Sequence, residues 1–220
     1  MSSFRTAPRE GHLERLKWIF GYLTKIKHAS VRFRTSLPDH SQHNITFYDW
    51  EKTFYNNSIE LLSTDSPAPL GPPVQVTTYV DANLCHDMLS GKSVTGILHF
   101  LNKTPFHYFT KKQPIVETAT YGSEYMAARL AVEQIMEIRT MLRYLGVNIK
   151  EASIMFGDNQ SVVDSSSQPQ SRLHKRHVLL SFHRVREAIA AKILHFIHIP
   201  RSINPADILS KRWSYSKIWN

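Results

Sequence analysis

At 220 residues, 42% of them hydrophobic, the chain is long enough to bury a full core with a smaller appendage besides, and too apolar to be a disordered segment. No uninterrupted apolar run approaches the roughly 18–20 residues of a membrane span, and Met-Ser-Ser-Phe-Arg-Thr-Ala-Pro at the N-terminus has no apolar signal core; an intracellular protein is expected. The single cysteine, Cys85, excludes an internal disulfide framework and a cysteine-rich zinc site, while 27 Lys and Arg against 18 Asp and Glu, a net charge of +9, favour a polyanionic partner.

Leu13, Leu16, Ile19, Phe20, Leu23 and Ile26 recur at helical spacing and predict an amphipathic basic helix over residues 9–27. Residues 28–62 carry little pattern; short strands are expected at Val31–Arg34 and Ile45–Tyr48. Residues 63–73 hold four of the eleven prolines and read as a linker, which divides the chain into a 1–62 extension and a 74–220 domain. Val74–Asp81, Ser93–Leu101 and Phe106–Lys111 have the length and β-branched content of strands, close enough in sequence to form antiparallel hairpins. A long helix follows over about Thr118–Leu145, stopped by Gly146. Its apolar face runs Ala128, Val132, Ile135, Ile138, Leu142, and four residues before Ala128 that stripe carries Glu124. Ala152–Phe156 is a strand leading to Asp158, with a short helix from Gln160, a second helix over about Leu173–Ala191 and a strand at Ile193–Ile199. Pro205 opens a final helix with Asp207 in its first turn. The predicted order is β-β-β-α-β-α-α-β-α.

Four acids stand out in that order: Asp81, Glu124, Asp158 and Asp207. Three follow or enter an apolar run, where a carboxylate is costly unless a cation compensates it; this points to a divalent-metal centre. Each has an ordinary alternative. Asp81 could form a turn, Glu124 lie exposed in a first turn, Asp158 cap the next helix, and Asp207 favour a helix dipole.

Tyr79-Val-Asp81-Ala-Asn, Lys111-Lys-Gln-Pro, Glu117-Thr-Ala-Thr-Tyr-Gly-Ser-Glu124-Tyr-Met-Ala-Ala, Gly157-Asp158-Asn-Gln-Ser, His174-Lys-Arg-His177 and Ala206-Asp207-Ile-Leu-Ser-Lys211 together resemble the ribonuclease H domain of Ty1/copia-type retrotransposon polyproteins. The resemblance covers roughly residues 74–212, and the helix around Trp18-Ile-Phe-Gly-Tyr-Leu looks like the segment between polymerase and ribonuclease H. It implies an α/β fold with a five-stranded mixed sheet flanked by helices. It also implies hydrolysis of the RNA strand of RNA–DNA hybrids with two divalent cations, Mg²⁺ or in its place Mn²⁺, held by oxygen ligands. Asp81 would bridge the two ions, with Glu124 and Asp158 on one and Asp207 on the other. Their spacings of 43, 34 and 49 residues leave it to the fold to assemble them.

Lys111, Lys112, Gln113, His174, Lys175, Arg176 and His177 are candidate nucleic-acid contacts, and Asn159 and Gln160 could reach the minor groove, where 2′-hydroxyls mark RNA. A solvated helix face is the alternative for the basic cluster. His195 and His198 read as structural, and His12, His28, His40, His86 and His99 have no ligand spacing. The family implies a hybrid substrate, a polymerase partner from the parent polyprotein, and a cytoplasmic particle or the nucleus as location. Two departures are visible. Pro200-Arg-Ser-Ile-Asn-Pro205 is shorter than the histidine loop of cellular ribonucleases H and lacks its histidine, which implies slow turnover. No polymerase Tyr-x-Asp-Asp box is present. The alternatives are a catalytically silent nucleic-acid-binding remnant and, less well matched, an integrase-type enzyme on the same fold.

Overall fold

The computed structural model describes residues 8–28, 30–43, 45–149, 151–173 and 175–211. The chain divides into two compact units, Met1–Phe33 and Arg34–Asn220. The first contains α1 (Glu10–Lys25), which starts and stops close to the predicted bounds and buries none of its residues; Trp18 and Phe20 stay largely exposed.

The second unit is built on five strands. These are β1 (Val76–Asp87), β2 (Lys92–Leu101), β3 (Thr104–Lys112), β4 (Ser153–Gly157) and β5 (Leu194–His198). Their order is β3-β2-β1-β4-β5, with β1, β2 and β3 antiparallel and β4 and β5 running parallel to β1. Helices α2 (Thr120–Tyr144), α3 (Gln160–Ser167), α4 (Leu179–Ala190) and α5 (Asp207–Ser210) complete the predicted order. This is the mixed, helix-flanked sheet that the family resemblance implies.

Small residues set the distance between α2 and the sheet. Ala127, Ala128 and Ala131 are fully buried, so the helix packs closely on Val80, Ala82, Ile97 and Met155, with Tyr125, Val132 and Ile135 filling the layer and Phe182 and Val185 of α4 closing it. Gly146, at φ +72°, ends the helix in the left-handed conformation that a side chain disfavours. The second sheet face carries a smaller cluster of Ile154, Phe156 and Ile199 with Tyr79 and Ile45 against it.

Residues 34–73 belong to the same compact unit as the sheet. Their described residues run as a strap with no helix or extended strand. His40 and His43 pack on Phe156, Phe47 sits edge-on to His195 of β5, and Trp50 and Tyr55 lie on the buried Arg186 guanidinium of α4. Further along, Glu60 binds Arg139 and Arg143 of α2 through four hydrogen bonds, and Leu70 bridges to Val147. Burial would raise the Glu60 carboxyl, but the two guanidiniums outweigh it and hold the group down to about 2.

The strands expected at Val31–Arg34 and Ile45–Tyr48 do not form. Arg34 is tied instead by its amide to the Thr104 hydroxyl, and Ile45 and Phe47 are held by side-chain packing. The helix expected from Leu173 begins at Leu179, after a 3-10 turn over Arg176–Val178. β1 runs past Asp81 to Asp87, with an irregularity in its pairing between Asn83 and Asp87.

His99, expected to play no part in ligand binding, is fully buried between the Thr78 hydroxyl and the Gln134 side-chain oxygen of α2. Burial pushes its pKa down to about 4 from 6.5. The unfolded chain therefore binds the extra proton between those values, and stability should rise with pH across that window by up to about 3 kcal/mol. Urea unfolding of His99→Gln should lose that dependence between pH 4.5 and 7; a slope equal to that of the parent protein would refute the assignment.

Candidate metal centre

The strand register explains why distant carboxylates converge. Tyr79 of β1 and Phe156 of β4 are direct partners in a parallel pair, so Asp81 and Asp158, each two residues further on, reach the same level on neighbouring strands. Asp81 lies within β1 and is almost wholly buried, so it is not a turn former. Asp158 lies just beyond the end of β4. The capping role there falls to Asn159, whose side chain accepts from the Val162 amide at the start of α3.

Glu124 is buried in the first turns of α2, on the face that packs over β1. One oxygen each of Asp81, Glu124 and Asp158 lie within 4.8 Å of one another. Asp207 opens α5, which sits over β2 and β1 because Gly96, the cross-strand partner of Asp81, has no side chain. A β-carbon there would stand 2.8 Å from the Ala206 carbonyl oxygen and 3.1 Å from the Ser210 amide. Asn204 fixes the approach to α5 by donating to the Val80 carbonyl and accepting from the Ala206 amide.

The electrostatics of the cluster are those of an acidic centre short of positive charge. Burial, then the charges of Asp81 and Asp158, raise the Glu124 carboxyl well above its ordinary value. Asp158 is raised by burial and by Asp81, and Asp207 by burial, with the Asp81 charge adding to it. Among the described residues, the Lys211 ammonium bonds directly to the cluster. Lys211 donates to Asp81 Oδ1 at 2.9 Å and to Asp207, while the Ser210 hydroxyl donates to the other Asp81 oxygen. Burial works against the Lys211 ammonium, but its bonds to Asp207 and Asp81 outweigh that and raise its pKa. The donor set is all oxygen and carries several negative charges, which suits a hard divalent cation such as Mg²⁺ or Mn²⁺ rather than a soft one.

The candidate nucleic-acid contacts are placed less uniformly. Lys111 and Lys112 are exposed on β3, with Lys112 paired to Asp87. Gln113 is buried and spends its amide on the Thr95 hydroxyl and the Ser123 carbonyl, tying the end of β3 to α2. Asn159 is the α3 cap, and Gln160 is exposed and bonded to Asp164. Lys175 lies 5.9 Å over the Tyr121 ring, Arg176 is exposed, and His177 bonds the buried Glu117 carboxylate; His174 is outside the described residues. Sequence reasoning gave no role to Ser210, Lys211 or Gly96. Only the four-residue spacing of Asp207 and Lys211 on one helix hinted at the first contact.

The sheet order β3-β2-β1-β4-β5, with an acidic cluster at mid-β1 and just beyond β4, is that of a ribonuclease H-like fold. In sequence, the chain is similar to the retrovirus-related Pol polyprotein from transposon TNT 1-94 of Nicotiana tabacum, 29% identical over 133 residues, which is 60% of this chain and 10% of that protein. It is also similar to the Pol polyprotein from transposon RE2 of Arabidopsis thaliana, 23% identical over 141 residues, 64% of this chain and 10% of the relative. The matches thus span about a tenth of the length of these curated relatives. No family model matches the chain. Among solved structures, it is similar to the N-terminal RNase H domain of Rv2228c from Mycobacterium tuberculosis, with a TM-score of 0.49, 14% identity, and coverage of 62% of this chain and 91% of that one. The retrotransposon polyprotein resemblance read from the sequence is matched by these relatives.

Proposed function

We propose that the chain is a divalent-metal-dependent endonuclease that hydrolyses the RNA strand of RNA–DNA hybrids. The observation that carries this reading is the convergence of Asp81, Glu124 and Asp158, from two strands and a helix, within 4.8 Å in a setting that raises Glu124 and Asp158. Buried carboxylates that repel one another without full compensation are a poor structural device and a good receptor for divalent cations. Asp81 would contribute to both ions, Glu124 and Asp158 to one, and Asp207 to the other.

When bound, two such ions activate the attacking water and stabilise the leaving 3′ oxygen. The chain's own part is to hold the four carboxylates on rigid elements, with Gly96 and Asn204 fixing α5 at the height of Asp81. Exposed Lys111 and Arg176 are suited to phosphate contacts, which position a duplex without reading its sequence. Gln160, exposed two residues beyond Asp158, would be the side chain to meet a minor groove and its 2′-hydroxyls. The other partner proposed is the polymerase part of a parent polyprotein, and the proposed setting is a cytoplasmic particle or the nucleus. Among the described residues, no helix is long and apolar enough to cross a membrane.

The test is cleavage of end-labelled RNA in an RNA–DNA duplex with Mg²⁺ or Mn²⁺. The protein should cut the RNA strand and spare the DNA, and Asp81→Asn and Asp158→Asn should each cut at least about a hundredfold more slowly while still binding the duplex. A wild-type protein that binds the hybrid and leaves it intact with both ions would overturn the enzymatic reading in favour of a silent binding remnant.

A further inference from the structure

Both oxygens of Asp81 are engaged by the C-terminal end of α5: Oδ1 accepts from the Lys211 ammonium at 2.9 Å and Oδ2 from the Ser210 hydroxyl. The same ammonium also binds Asp207. The two carboxylates assigned to share the second ion are thus already joined by a tethered cation. We propose that Lys211 is a positioning residue that acts as a built-in counter-ion: it holds Asp81 and Asp207 together without metal, and must release them before the second divalent ion can bind.

The inference rests on the metal-centre reading and adds an order to it. Glu124 and Asp158 make no hydrogen bond to Lys211, so the first ion meets only the Asp81 part of this clamp. The second ion needs both of the carboxylates that Lys211 holds, and its binding is weakened by the free energy of breaking those contacts. A lysine suits such a role because its ammonium is a compact charge on a flexible stem that can swing away. The side chain is partly buried, and Asp81 almost wholly so; the clamp is therefore screened little by salt.

Mn²⁺ titration of the whole protein, followed by calorimetry and by the electron paramagnetic resonance of free Mn²⁺, separates the possibilities without any cleavage. Wild type should bind one ion tightly and a second at least tenfold more weakly. Lys211→Met should strengthen the weaker site at least tenfold, melt at a lower temperature without metal, and gain more in melting temperature from saturating Mn²⁺ than wild type does. Lys211→Arg, which keeps the charge, should retain the weak second site. Equal affinities and equal melting shifts in wild type and Lys211→Met would overturn the counter-ion role while leaving the metal centre intact. Absence of ion binding in all three proteins would overturn the metal centre itself and the counter-ion role with it.

Discussion

A chain lacking residues 1–33 should unfold cooperatively, close to the melting temperature of the whole protein, whereas one lacking residues 1–62 should show no cooperative transition. The difference lies in what the strap covers. Arg139 and Arg186 are both almost fully buried. Arg139 is neutralised by Glu60, and Arg186 is boxed by the rings of Trp50, Tyr55 and Phe182 at 4.8 to 5.3 Å while it donates to the carbonyls of Ser165, Gln168 and Pro169. Removing one partner of a buried ion pair costs about 3–5 kcal/mol, and a desolvated cation–ring contact adds up to about 2 kcal/mol. Losing the Glu60 pair, the two rings on Arg186 and the packing of His40 and His43 on Phe156 together approaches the roughly 5–15 kcal/mol that holds a whole domain folded. Residues 1–33 form a compact unit of their own, and α1 within it buries none of its residues. Thermal melts by circular dichroism decide the matter. Cooperative melting of 63–220 within a few degrees of the full chain would mean that the strap is an accessory.

Gly96→Ala should cost about 1–3 kcal/mol and cut any RNA cleavage by at least about tenfold, although the residue carries no functional group. Its β-carbon would be placed against backbone atoms of α5, at 2.8 Å from the Ala206 oxygen and 3.1 Å from the Ser210 nitrogen, and neither can rotate away. The helix must then lift from β2 and carry Asp207, Ser210 and Lys211 with it. A displacement of a fraction of an ångström is enough to matter where carboxylates must converge on shared ions. Gly21→Ala is the control. That glycine lies within α1 with nothing within 4 Å of its β-carbon position, so the change should leave both properties unchanged or slightly raise stability. Wild-type cleavage and Mn²⁺ affinity in Gly96→Ala would show that α5 does not depend on this close approach.

The regular elements were legible because each has a local signature. Val76-Thr-Thr-Tyr-Val reads as a strand and the Ala128 to Leu142 stripe as a helix whatever surrounds them. The strap was not legible, because its residues satisfy no period. Tyr55, Glu60 and Trp50 are placed by partners 79 to 136 residues away in the chain, Arg139 and Arg186, and an isolated aromatic or glutamate announces no such partner. Gln113 misled for a related reason. A glutamine beside two lysines looks like part of an exposed polar contact, but the pairing of β3 turns it inward onto Thr95 and Ser123.

The sequence by itself determined the four carboxylates, the order of the elements that carry them, and the family whose motifs they match, since these depend on residue identity and short-range pattern. Tertiary structure alone decided that Asp81 and Asp158 stand level on adjacent parallel strands, that Gly96 admits α5 above them, and that Lys211 is the cation in their midst. Those facts come from strand register and from backbone approach across more than 100 residues of chain, and no local pattern encodes either.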